Sequence, residues 1–264
     1  MRRGWLTGGR LHGVSPAPTF LALVDQVATW RLLLATLFGG GGVLLVARWA
    51  HSPLVGYAYG GLAWIAAAWP LPGRILKTLT WSDVALGQSF LLTLASWAMG
   101  TAATLALGFN PQAGRLSHLT WAEAQRWLWQ FPLVLPVENL VLLGGLLSIW
   151  QWVRPRHAWD RAITAALAAC LFGLWHVPAW GGWTMVVIGL TVLPWTIYLI
   201  ATGDMVAPLL AHIWLDTLAV LGAAAGGTSS ASHYLLPAML LGILLVGLGY
   251  SIYRDWHKAP HRPG

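Results

Sequence analysis

Charged residues are missing from the long middle stretches of this chain. From about residue 32 to 253 it is a succession of apolar runs, and most of its eight acidic and fifteen basic residues stand at the ends of those runs. Charged residues make up 9% of the sequence, against roughly a quarter in soluble domains. A helix of about 20 apolar residues crosses a bilayer, and the runs support an all-α fold, a multi-pass membrane helical bundle of about eight transmembrane helices. The spans are expected at 32–50, 54–72, 84–108, 124–152, 160–178, 183–202, 206–223 and 234–253. The runs are continuous and not alternating, which excludes a membrane β-barrel. No polar stretch is long enough for a soluble second domain. The expected organisation is an interfacial N-terminal segment (1–30), one transmembrane domain (31–255, with its motif-bearing half at 120–253) and a tail (256–264).

Tryptophans gather at the run ends, among them Trp30, Trp49, Trp69, Trp121, Trp150, Trp152, Trp159, Trp180 and Trp183. Indole rings favour the headgroup region, where one polar edge meets water and the body meets lipid. With an even number of spans, twelve Lys and Arg residues fall on the side of the termini, and Arg48, Arg115 and Arg126 on the other. Basic loops stay in the cytoplasm, so both termini are expected there, in a plasma (inner) membrane protein entered by its substrate from the cytoplasmic side. The net charge of +7 then reflects loops at an anionic lipid surface, with no nucleic acid as partner. The segment from Thr19 to Trp30 contains Asp25 and is expected as a short helix lying along the interface. Gly39 to Gly42 fall inside the first span, where missing side chains permit close helix contact or a local break. Cys170, the single cysteine, is expected as a small buried packing residue. Thr120 and Glu123 have the spacing of a capping box at the start of span four.

The informative residues are the ionisable ones at membrane depth: Glu138 in span four, His176 in span five, and His212 and Asp216 in span seven. Each such group costs about 2.5–3.5 kcal/mol at a bilayer centre, so these groups face the bundle interior and converge. His212 and Asp216 are four residues apart and share a helix face. Glu138 and His176 both lie about 20 Å from the cytoplasmic ends of their spans, but His212 only about 9 Å. That mismatch closes if the link from Gly203 to Pro208 is sunken below the membrane surface. Pro132 and Pro136 remove backbone donors close to Glu138 and are expected to loosen the helix there. Trp175 and Trp214 flank the histidines in sequence and are expected to wall the pocket.

Three segments resemble the CAAX protease and bacteriocin-processing family of intramembrane endopeptidases. The family's paired glutamates, three residues and Arg-Gly correspond to the stretch from Glu138 to Gly144; its Phe-x-x-x-His to Phe172 to His176; its His-x-x-x-Asn/Asp to His212 to Asp216. Asn139 stands where the family has its second glutamate, and Leu143 where it has arginine. Losing both members of a pair leaves no orphan buried charge. An alternative register makes Glu138 the second glutamate, but puts Val137 first and Gly144 out of line. The resemblance implies hydrolysis of a peptide bond in a membrane-associated peptide or protein, without a cofactor. By analogy Glu138 and His176 deprotonate the attacking water, and His212 with Asp216 stabilises the oxyanion. A carboxylate beside an imidazole is a reasonable general base near neutral pH. Asp216 donates only if protonated, so its expected part is to orient His212.

Two other readings use the same residues. His176, His212 and Asp216 would suit zinc with an open position, although no His-Glu-x-x-His segment occurs. A non-catalytic scaffold or transporter would keep the polar cluster to pin helices or pass a substrate.

Overall fold

A computed structural model describes residues 16–79, 83–117 and 119–226. The expected eighth span and the tail lie outside the described residues, as do the basic residues before Pro16 and after Gly226. The described residues form helices without a strand: α1 (Pro18–Val24), α2 (Thr29–Thr36), α3 (Gly42–Trp49), α4 (Pro53–Ala67), α5 (Leu71–Thr78), α6 (Asp83–Leu107), α7 (Ala113–Leu116), α8 (Trp121–Val153), α9 (Ala158–Trp180), α10 (Thr184–Thr202) and α11 (Val206–Gly226). Six of the spans are long and apolar enough to cross a membrane, or seven if the bent pair α4–α5 counts as one. The protein is an all-α membrane bundle.

The first span is continuous from Thr29 to Trp49 but passes through a π-helical turn at Leu37–Gly41. The glycines there admit a neighbour as well as a local change of winding. A Cβ on Gly60 would lie 2.4 Å from Val43 Cγ2 and 2.5 Å from the Gly39 carbonyl, and one on Gly56 would lie 2.5 Å from the Val43 carbonyl. The four-residue spacing of Gly56 and Gly60 therefore brings the backbones of α3 and α4 into contact. Tyr57, one position round the helix from Gly56, faces α8.

The second span differs from the expected straight crossing. It stops at Ala67, and α5 leaves at 100° to α4. Pro70 and Pro72 lack the N–H that would continue the helix. Arg31 Nε donates to the freed Ala67 carbonyl at 3.0 Å, which ties this break to the start of α2. In α8, by contrast, the helix runs unbroken through Pro132 and Pro136. It starts at the expected capping box, where Thr120 N donates to Glu123 Oε2 at 2.9 Å and Glu123 N donates to Thr120 Oγ1 at 3.3 Å.

Antiparallel succession gives the bundle two faces. One carries the starts of α2, α9 and α11 and the ends of α8 and α10, and is called here the Arg154 face. The other carries Pro53, the end of α6, the start of α8 and the end of α9, and is called the Trp121 face. The Arg154 half is filled by a core that includes Leu32, Trp64, Leu71, Leu143, Leu146, Leu147, Leu199 and Ile200. The helix expected along the interface, α1, belongs to this core. Phe20 is fully buried and meets Trp150 edge-on at 4.9 Å, and Gln151 donates to the Val27 carbonyl at 2.8 Å.

α1 also explains the depth of His212. The link before α11 is buried beneath it: Met205, Val206 and Ala207 are all buried, and a Cβ on Gly203 would touch Phe20 N at 2.6 Å. Asp204 Oδ1 caps the new helix by accepting from Val206 N at 2.8 Å. α11 thus starts inside the bundle, and the mismatch seen in the sequence disappears. One packing expectation fails. Cys170 is exposed on α9, on the outward side that also carries Leu167, Leu171 and Leu174; at that level the contact with α10 is made by backbone, with Gly189 against Cys170 Cα.

Candidate active site

Glu138, His176, His212 and Asp216 meet. Glu138 Oε2 lies 3.4 Å from His212 Nε2 and 3.9 Å from His176 Nε2, and Asp216 Oδ2 lies 3.7 Å from the same His212 nitrogen. Glu138, His176 and His212 are each less than 10% exposed, whereas the Asp216 side chain retains 27%. All four line one cavity of about 670 Å³, together with aromatic and apolar residues such as Trp97, Trp127, Phe131 and Trp180.

The hydrogen bonds fix which ring nitrogen carries a proton. His176 Nδ1 is 2.9 Å from the Phe172 carbonyl, one helical turn back. A carbonyl only accepts, so Nδ1 holds the hydrogen and Nε2 of the neutral ring offers a lone pair towards Glu138. His212 is set the opposite way by Asn139. The Asn139 amide nitrogen donates to the Leu135 carbonyl at 2.9 Å, which fixes the amide's orientation, and it also faces His212 Nδ1 at 2.9 Å. Nδ1 of His212 therefore accepts, and its hydrogen sits on Nε2, aimed at the carboxylates. Asn139 is thus more than a missing glutamate: it fixes an imidazole tautomer. Leu143, in the position of the family's arginine, is fully buried in the apolar core of the Arg154 half.

Sequence reading missed Tyr57. Its hydroxyl donates to Glu138 Oε1, which leaves Oε2 to the two histidines. A tyrosine in an apolar span carries no sequence signal that separates it from ordinary packing aromatics. Its neighbour supports it: Trp175 meets the Tyr57 ring edge-on at 6.4 Å and donates through Nε1 to the Gly40 carbonyl at 2.8 Å. Trp175 also packs on His176 at 4.8 Å, from outside the cavity lining. Trp214, expected as a second wall, does not line the cavity. Trp195 takes that place, with its ring 4.8 Å from His212. Trp195 Nε1 and Ser96 Oγ, both from cavity-lining residues, are buried without a protein partner. Among the described residues no three His, Cys, Asp or Glu side chains are arranged to hold a metal ion.

Fold and cluster together define a class: a membrane-embedded helical bundle with a carboxylate and two imidazoles at the end of an apolar cavity. Residues 120–218 match the family model described as type II CAAX prenyl endopeptidase Rce1-like. That segment holds all four predicted residues, and Tyr57 lies outside it. Neither curated proteins nor solved structures give a match.

Proposed function

We propose that this protein is an intramembrane glutamic endopeptidase of the CAAX-protease type, with Glu138, His176, His212 and Asp216 as its working residues. The observation that carries the reading is the Glu138 carboxylate, buried and 3.4 and 3.9 Å from two imidazole Nε2 atoms. A water held between Glu138 and His176 Nε2 gives a proton to Glu138 as its oxygen attacks the peptide carbonyl carbon. The negative charge that develops on the carbonyl oxygen is met by the N–H of His212, held in place by Asn139. Asp216 lies beside that N–H and orients the ring. Glu138 then passes its proton to the departing amine as the C–N bond breaks. Tyr57 holds the other carboxylate oxygen throughout.

The test is cleavage of a fluorogenic apolar peptide by purified protein, wild type beside Glu138→Gln and His176→Ala. Loss of a general base is worth about 100-fold or more in turnover. Equal turnover in all three proteins would remove the assignment. Added chelator should leave wild-type turnover unchanged, and a loss reversed by zinc would favour the metal reading.

A further inference from the structure

The cavity has a direction, set by the end of the bundle that its lining residues occupy. Its lining includes Pro53, Leu105, Asn110, Pro111, Gln112 and Leu116, all at the Trp121 face, and none of the residues that end helices at the Arg154 face. Glu138 and the histidines stand at its inner end. Beyond them lies the apolar core of the Arg154 half, and a separate cavity of about 700 Å³ at that face, lined by Asp25, Gln151 and Arg154 among others, includes none of the four residues. Among the described residues, then, a substrate reaches Glu138 from the Trp121 face.

The basic residues lie on the other face. Arg31, Arg74, Lys77, Arg154, Arg156 and Arg161 belong to helix ends and links at the Arg154 face, and the Arg31 bond to the end of α4 places it there directly. Among the described residues, only Arg48, Arg115 and Arg126 belong to the Trp121 face. Cationic ends remain in the cytoplasm during insertion, so the Arg154 face is cytoplasmic.

Taken together, we infer that the active site opens away from the cytoplasm and acts on peptide segments exposed at the non-cytoplasmic surface of the membrane. The inference rests on the protease reading for its substrate, but the direction of opening does not. A tail confined to the cytoplasm would have no path to Glu138. The cavity wall, rich in Trp, Phe and Leu, suits an apolar segment that partitions into that leaflet.

Cysteine labelling tests the direction without any need for turnover. In a Cys170→Ala background, Gln112→Cys marks the cavity mouth and Pro155→Cys the opposite face. A membrane-impermeant maleimide applied to intact cells should label the Gln112→Cys protein and leave the Pro155→Cys protein unlabelled until the membrane is permeabilised. The reverse pattern, or labelling of both in intact cells, overturns the inference. Right-side-out vesicles given an impermeant apolar peptide should cleave it, and inverted vesicles should not. Correct labelling with no cleavage in either preparation would remove the protease reading and leave the orientation standing.

Discussion

Tyr57→Phe isolates one hydrogen bond. Phenylalanine keeps the ring that meets Trp175 edge-on and the tight α3–α4 approach at Gly56 and Gly60, and it removes only the hydroxyl that donates to Glu138 Oε1. A hydrogen bond to a charged group contributes about 1.5–3 kcal/mol. If that contribution is realised in holding the carboxylate for proton transfer, turnover falls by about 10- to 100-fold, at about 1.4 kcal/mol per factor of ten. The loss should appear in kcat, because the hydroxyl holds the carboxylate that takes the proton. The assay is steady-state cleavage of the fluorogenic peptide by purified protein, with thermal unfolding in detergent as the check on folding. Turnover within twofold of wild type, or an equal loss explained by unfolding, would refute the positioning role and leave the Tyr57 bond structural.

Other substitutions probe the elements behind the site. Asn139→Ala frees His212 Nδ1 and should lower kcat by at least about 5-fold, from the loss of a hydrogen bond worth about 1 kcal/mol or more; the same peptide assay reads it. Gly60→Val drives a side chain into the Gly39 carbonyl and Val43, and should abolish the folded protein in size-exclusion chromatography. Phe20→Ala empties a fully buried site beside Trp150. It should cost about 3 kcal/mol or more, seen as a lowered unfolding temperature.

The four ionisable residues were readable in the sequence because membrane depth makes such groups expensive, and the spacing of His212 and Asp216 already put them on one face. The residues that set their geometry were not. Tyr57 looks like any aromatic of an apolar span until Gly56 and Gly60 are seen to bring α4 close to α3. Asn139 reads as a lost charge until its amide is seen to bridge Leu135 and His212. The end of the second span at Ala67 was signalled by Pro70 and Pro72, but hydropathy alone ran through them. The end of the bundle at which the cavity opens was not legible either, because a sequence gives the depth of a residue without telling which end is filled. Cys170 was misjudged for a related reason: in lipid, an apolar residue gains as much from facing outward as inward.

α11 begins just after a link that packs against α1 at Gly203, and it ends its second turn at His212. An α-helix rises about 1.5 Å per residue, so the start of α11 fixes the position of His212 about 9 Å further along. The packing of α1 against Gly203 therefore bears on the depth of the His212 ring, two helical turns beyond the link.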